Sequence, residues 1–532
     1  MGSLKRLQLL LRSIVLSFGM LIITGLASCG SDNSANPVGV SVVSSVANGS
    51  AVLTNSSGTQ TTVSLTPAFS TSIHDYVISC SGSPAITVTF SIPANISLGL
   101  IQPNGASVAP TTYSSGQFQQ TMAISPGQRF QFSLSGESDN YSVRCVPADF
   151  PTLTVSRVAD AVPILLHGQS PLPQSQWYIF TPTLNVTVGA ATPPSYVIIT
   201  DTNGTPVWWK SEPRGPAIDA KIFGSSQIGW AVSGTGEFFF RDFSGNLLNT
   251  IAVAGSLDDH DMQITPQGTY LGIQTVTRVC PPDCADMSPW GGSSAAAVED
   301  AQIIEVDSSS NVLWTWRTRD HIALSETGEE GWFPSVGNDI IHMNALQPDG
   351  PDAVLFSARH LNAIYRIIKS TGAIDWKIGG STRAESLTVT GDTRPTALGA
   401  TGHALSGQHD VRLWPDGTVS VHDNGTIANR PPYVVRFQID TSSRTAEVVE
   451  EFMDSRVSNS GCCGSARRLA DGHWLINWGE HDFFTEMASG VPVLTVQYST
   501  NGTFSYRSIP VLPGGILPTT LRDGMDLIAQ EH

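Results

Sequence analysis

One nine-residue phrase recurs along this chain: His260-Asp-Met-Gln-Ile-Thr-Pro-Gln-Gly268, His342-Met-Asn-Ala-Leu-Gln-Pro-Asp-Gly350 and His409-Asp-Val-Arg-Leu-Trp-Pro-Asp-Gly417. In each copy the histidine stands eight residues before the glycine of a Pro-x-Gly turn and opens a short apolar stretch that reads as a strand. A fourth copy, Gly464 to Gly472, keeps the spacing with glycine in place of histidine. The strand therefore does not need an imidazole in order to fold. Recurrence at this scale restricts the chain to architectures made of repeats, and it points to histidines placed for chemistry.

A second unit recurs between these phrases: an apolar strand, a polar turn and a returning strand. Six such hairpins are legible, at Tyr196–Lys210, Glu237–Val253, Ile303–Arg317, Ile364–Ile378, Val434–Phe452 and Val493–Pro510, with turn-to-turn spacings from 41 to 71 residues. Five shorter strand pairs alternate with them. Four of these carry the eight-residue spacing, and Ile218–Trp230 is a degenerate match. Four strands per repeat is the pattern of a β-propeller. One inner pair is missing, and Val162–Thr183 is placed to close the ring.

The expected class is all-β, with a six-bladed β-propeller over residues 152–532 and seven blades as the alternative. Residues 38–151 are Ser/Thr-rich with alternating runs such as Ala85–Ile92 and Arg129–Leu134, which reads as a small N-terminal β-sandwich. The 49 glycines, 33 prolines and 14% charged residues suit a turn-rich β protein. Leu512 to His532 reads either as a ring-closing strand or as a loose tail.

Lys5, Arg6 and Arg12 precede an apolar stretch from Ile14 to Ala27, and Leu26-Ala27-Ser28-Cys29 has the form of a bacterial lipobox. The stretch is short for a bilayer span. The expectation is a lipoprotein signal peptide over 1–28, lipid on Cys29, a polar tether over 29–37 and an exported protein anchored in the bacterial cell envelope. An ordinary secretory signal with an incidental cysteine is the alternative. Six further cysteines, an even number in an oxidising compartment, favour disulfides. Cys80 and Cys145 staple the N-terminal domain in this reading, and Cys280 and Cys284 close a small loop. Adjacent Cys462 and Cys463 pair with each other or elsewhere, while a thiolate metal site from these last four cysteines is the competing reading. The formal charge of −17, with no basic run, disfavours nucleic acid and anionic lipid surfaces as partners.

The innermost strands of a propeller line its channel, so His260, His342 and His409 are expected to face one another at one mouth. Side chains two apart share a strand face, which puts Asn344 with His342. The turns fold the following strands back, bringing Ser357–His360 to His342, and His422, Asp423 and Asn424 to His409. Arg359 then belongs to the pocket, whereas His360 alternates to the other face and reads as structural. Asp261 and Asp410 follow their histidines and point away from them, towards neighbouring blades. Trp290, Trp332, Phe333, Phe483 and Phe484 lie in long insertions and are candidates for an aromatic rim. His403, His473 and His481 lack the repeat position and stay outside the site.

The His-x-x-x-x-x-Pro-x-Gly repeats, Ser357-Ala-Arg359-His360 before the Tyr365 hairpin, and Gln408-His409-Asp410 resemble the bacterial aryl-sulfate sulfotransferases, from about Tyr196 to the C-terminus. The resemblance implies an exported six-bladed propeller with an N-terminal sandwich. It also implies transfer of a sulfuryl group from a phenyl sulfate ester to a phenol through a sulfohistidine. By position His409 matches the nucleophile, and His260, His342, Asn344 and Arg359 match its supporting residues. The lipobox and the cysteine pattern depart from many relatives.

The chemistry is coherent without the resemblance. Neutral imidazole is a competent nucleophile near pH 7. Arg359 can hold sulfuryl oxygens with paired N–H donors, and Asn344 and the other histidines can stabilise charge and exchange protons. One pocket serving a small-molecule aryl sulfate donor and a phenolic acceptor in turn gives ping-pong kinetics. No G-x-x-x-x-G-K-[ST] loop and no helix-opening G-x-G-x-x-G is present, so no cofactor is expected and a nucleotide donor finds no phosphate cradle.

Plainer roles compete: His409 as a hydrogen-bonded core residue, Arg359 as a partner of Asp261 or Asp410. Two other functions use the same side chains. Three converging histidines could hold zinc in a propeller lyase or hydrolase, or the channel could bind a ligand without catalysis.

Overall fold

Each repeated turn has its glycine in the left-handed region: Gly268 at φ +81°, Gly350 at +67°, Gly417 at +78° and Gly472 at +80°. A Cβ is penalised there, which is why the phrase ends on glycine. In three copies the glycine N–H closes the turn onto the carbonyl three residues back, at 2.9 Å on Thr265, 2.9 Å on Trp414 and 3.0 Å on Leu469. The histidine-free copy thus folds its turn as the others do.

The structure, a computed structural model, describes residues 50–54, 60–80, 85–92, 96–103, 105–113, 116–136, 138–157, 172–184, 195–327, 338–395, 405–499 and 502–530. The leader, Cys29 and the tether lie outside the described residues, as do His403, Trp332 and Phe333. All described residues fall in one unit, Ser41–His532. It is an all-β, propeller-like fold made of many small sheets. Among the described residues no helix is long and apolar enough to cross a membrane.

The N-terminal part holds two sheets. One orders Gln60–Ser64, Ser50–Thr54, Ala85–Ile92 and Gly116–Ala123; the other orders Asp75–Ser79, Tyr141–Val146, Arg129–Leu134, Ile96–Ile101 and Ser107–Tyr113. Alternation along Arg129–Leu134 buries Phe130, Phe132 and Leu134. Phe132 meets Phe90 of the other sheet at 5.0 Å between ring centres. Cys80 and Cys145 form a disulfide in this part, and Cys280–Cys284 and Cys462–Cys463 are the other two.

Residues Leu153 to Val511 build six further sheets of four or five strands. One strand from each sheet meets its counterparts in neighbouring sheets: Ala217–Phe223, Met262–Ile264, Met343–Asp349, His409–Leu413, Ser465–Arg468 and Thr503–Val511. Five of the expected outer hairpins are found within single sheets. The sixth is corrected. Val491–Tyr498 and Thr503–Val511 belong to different sheets, because Thr503–Val511 pairs with Trp177–Leu184 from the far end of the chain. Two sheets thereby draw strands from both ends of the segment: Trp177–Leu184 pairs with Thr503–Val511, and Leu153–Arg157 pairs with Val491–Tyr498.

The last residues are neither a closing strand nor a loose tail. Pro518–Ile528 is a helix whose Leu521, Met525 and Ile528 enter the core with Trp209 and Phe243. Asp526 on its other side pairs with Arg129 at 2.6 Å and Arg144 at 2.8 Å, tying the helix to the N-terminal sheets.

Candidate active site

Three inner-strand starts deliver imidazoles to one place. His260 lies just ahead of Met262–Ile264, His342 just ahead of Met343–Asp349, and His409 opens His409–Leu413. The His260 and His342 rings meet edge-on at 4.9 Å between centres. Tyr506, from Thr503–Val511, joins the third: its ring lies 5.5 Å from His260 and 6.4 Å from His409. The rings of His260 and His342 keep 21% and 25% exposure, whereas His409 keeps 1%, so solvent reaches the cluster past the first two.

Each histidine has a different electrostatic setting. Asp258 takes His260 Nδ1 at 2.5 Å and the His260 N–H at 2.9 Å, and Asp259 is 3.7 Å away. Burial opposes charge on this ring, but the charge and hydrogen bond of Asp258 outweigh it and raise the pKa to about 9. Asp258 itself, despite its burial, is held down at about 2 by His260. His342 has a similar partner, Asp339 at 2.6 Å from Nδ1, yet its pKa is lowered, because burial and the neighbouring charge of His260 prevail.

His409 is fixed as a neutral ring. Asn424 Nδ2 donates to Ser460 Oγ at 2.8 Å and to the Cys463 carbonyl at 3.0 Å, which turns its Oδ1 towards His409 Nδ1 at 2.8 Å. The Gly407 carbonyl is 3.0 Å from the same nitrogen. Facing two acceptors, Nδ1 carries the proton and Nε2 the lone pair. Nε2 accepts the Cys463 N–H at 3.1 Å. Burial first, and then the charge of Arg359, push the pKa of His409 well below its ordinary value.

Arg359 sits beside this pair. Its N–H donates to the His342 carbonyl at 3.0 Å, and its guanidinium donates to the Gly461 carbonyl at 2.5 Å and lies 3.3 Å from His360 Nε2. The expectation for His360 is overturned. The strand Ala353–Ala358 stops at Ala358 and residues Arg359–Leu361 form a 3-10 turn, so alternation ends and the His360 ring lies 4.5 Å from that of His342. Its Nδ1 donates to the Asp339 carbonyl at 2.6 Å. Burial, with the nearby His342 and Arg359, lowers its pKa to about 3.

Asn344 lies in a bulge between Met343 and Ala345, just after His342, whose φ is +48°. It is wholly buried and reaches the next sheet, where Nδ2 donates to the Gln408 carbonyl at 2.8 Å, one residue before His409. Phe483 and Phe484 are not rim residues: they lie in the strand Phe483–Ala488, where Phe484 packs on Tyr178 and Phe180 in the core. Trp290 packs against the core from a 3-10 turn. His473 pairs with Glu486 at 3.1 Å, and His481 Nε2 lies 2.6 Å from the Asn459 carbonyl. Among the described residues, side chains grouped as a metal site would need are Asp339, His342 and His360, and Asp258, Asp259 and His260. The three repeat histidines do not form such a group.

Behind the imidazoles lies a buried charged layer. Asp261 meets Lys221 at 2.5 Å and Arg412 at 3.1 Å; Asp410 meets Arg412 and Arg467, each at 2.7 Å. Both aspartates therefore reach neighbouring sheets. Arg507, wholly buried, donates to Asp219 at 2.6 Å and to the Asn344 carbonyl at 2.6 Å. Sequence reasoning missed Tyr506, Arg507, Asp258 and Asp339. The two aspartates had a signal, since each lies two or three residues before a repeat histidine.

The arylsulfotransferase (ASST) family profile matches residues 174–506, more than half of the chain. No curated protein sequence matches the chain. Among solved structures it is similar to a protein of unknown function from Bacteroides caccae, at 13% identity and a TM-score of 0.40 over 63% of this chain and 99% of that one. It is also similar to a virginiamycin B lyase from Staphylococcus aureus, at 10% identity and a TM-score of 0.32 over 68% and 90%. The assignment rests on the sequence match, which spans all three repeat histidines: the chain belongs to the arylsulfotransferase family.

Proposed function

We propose that this protein moves a sulfuryl group from a phenolic sulfate ester to a phenolic acceptor through a sulfohistidine on His409. The observation that carries the reading is the pairing of a neutral, tautomer-fixed imidazole, His409, with a cationic one, His260, in a single cluster. Nε2 of His409 attacks sulfur as the ester S–O bond breaks, and the departing phenolate takes a proton from His260. Arg359 and His342 balance charge on the sulfuryl oxygens, and Asn344 holds the backbone ahead of His409. The acceptor phenol then returns its proton to His260 and attacks the sulfur, freeing Nε2. Both half-reactions use one site and consume no cofactor.

In this reading the six sheets are the blades of a six-bladed propeller over 152–532 and the two N-terminal sheets are a sandwich over 38–151. Residues 1–28 are the leader, and lipid on Cys29 anchors the protein to the envelope. Cys29→Ala is expected to move the protein from the membrane to the soluble fraction; retention at the membrane refutes the anchor.

The deciding experiment mixes a chromogenic phenyl sulfate with a phenol. Ping-pong kinetics, a SO₃ adduct on the His409 peptide and loss of both in His409→Ala are expected. Full activity in that variant refutes the nucleophile, and activity lost on exhaustive chelation favours a metal-dependent hydrolase instead.

A further inference from the structure

The segment Ser460–Gly464 contacts His409 Nε2 and the residues Asn424, Thr426 and Arg359 around it. The Cys463 N–H caps Nε2 at 3.1 Å, and the Cys463 carbonyl and Ser460 Oγ hold Asn424, which in turn fixes Nδ1. The Ser460 carbonyl accepts from Thr426 at 3.0 Å, and the Gly461 carbonyl accepts from Arg359 at 2.5 Å. This segment contains no strand of its own. Cys463 has φ +65°, in the left-handed region that a non-glycine residue enters at a cost. What closes the segment covalently is the disulfide between the adjacent Cys462 and Cys463.

We propose that the Cys462–Cys463 disulfide is a positioning device for His409, holding the Cys463 N–H against Nε2 and Asn424 against Nδ1. The proposal rests on His409 being the nucleophile. The small ring formed by two bonded neighbours removes most of the backbone freedom of the pair, so the left-handed conformation persists. When Nε2 gives its lone pair to sulfur, the Cys463 N–H loses its acceptor and turns to an oxygen of the bound sulfuryl group, beside Arg359. Opening the ring takes two electrons and two protons from a dithiol, which closes its own disulfide as Cys462 and Cys463 become thiols. Cys463 then relaxes towards ordinary backbone angles and both restraints on the imidazole are lost.

The test is the burst of phenol released when the full-length oxidised protein meets a chromogenic phenyl sulfate without acceptor. Reduction by a dithiol, verified by alkylation and mass mapping of Cys462 and Cys463, is expected to slow the burst about tenfold to a hundredfold, the scale of a displaced catalytic group. The KM for the donor and the circular dichroism are expected to stay unchanged, and reoxidation restores the rate. Cys462→Ser/Cys463→Ser is slow without reductant and indifferent to it; Cys280→Ser/Cys284→Ser stays fast and remains sensitive. A fast burst in the reduced protein, lost in His409→Ala, overturns the positioning role and leaves the nucleophile standing. A fast burst in His409→Ala overturns both. A slow burst accompanied by a raised KM and lost circular dichroism marks general unfolding and also overturns the proposal.

Discussion

His260 and His409 hold equivalent places in one repeat, yet their neighbours drive them to opposite protonation states. Asp258 keeps His260 charged up to about pH 9, and burial with Arg359 keeps His409 neutral well below its ordinary range. A transfer that needs an acid at His260 should therefore lose activity only as pH rises through about 9. Asp258→Asn removes the larger raising charge and the hydrogen bond, leaving burial opposed by Asp259 alone, so the pKa drops from about 9. The alkaline limb of kcat/KM is then expected to move to lower pH, from about 9 towards the ordinary histidine value of about 6.5, while an unmoved limb would show that His260 is not the acid. The stability linkage has the same sign. With a folded pKa above the unfolded one, the His260 contribution is complete below about pH 6.5 and disappears as pH passes about 9. The aspartates that do this were visible as neighbours of the repeat histidines. Their effect was not, because it depends on which carboxylate oxygen faces which ring nitrogen.

At the scale of elements, the fourth copy of the phrase shows what its glycine is for. A Cβ on Gly464 would lie 2.6 Å from His422 Cε1 and 2.9 Å from the Asn477 carbonyl, and its φ is +104°. The imidazole is missing there because His422 occupies the space. Gly464→Ala is expected to cost about 2–5 kcal/mol, the sum of left-handed strain and overpacking, read as a lower urea midpoint with an unchanged slope. A neutral substitution would mean that the strand yields readily. Turns and hairpins were legible because their signals are local: the Pro-x-Gly spacing and the apolar runs. What escaped was non-local or irregular. Val493–Pro510 reads as a hairpin until Thr503–Val511 pairs with Trp177–Leu184, and a 3-10 turn after Ala358 carries His360 into the cluster.

For the whole molecule, the repeat made a propeller-like set of small sheets legible, but the charged layer beneath the histidines joins residues that no local pattern connects. Arg507 reaches Asp219 from 288 positions away and also approaches Asp410 at 3.4 Å, on a second sheet, and Asp261 at 3.5 Å, just ahead of the strand Met262–Ile264 of a third. Truncating it leaves buried carboxylates short of a cation, and such a loss costs about 3–5 kcal/mol. Arg507→Ala is accordingly expected to unfold at a lower urea midpoint at pH 7. The sign of its pH dependence separates charge from packing. In the native protein nearby cations hold Asp261 and Asp410 low despite burial, so their contribution is present above the unfolded value and is lost as pH falls through their folded ones. Without Arg507 these pKa values rise, although Lys221, Arg412 and Arg467 still oppose the burial, and protonation relieves part of the deficit, so the gap from wild type should narrow as pH falls. Asp219, already raised by its burial, should take up a proton first. Adding Asp219→Asn to Arg507→Ala is therefore expected to recover part of the loss at pH 7. A gap that ignores both pH and the second substitution would assign Arg507 a packing role instead, and the joining of neighbouring sheets would then rest on strand pairing and apolar contacts alone.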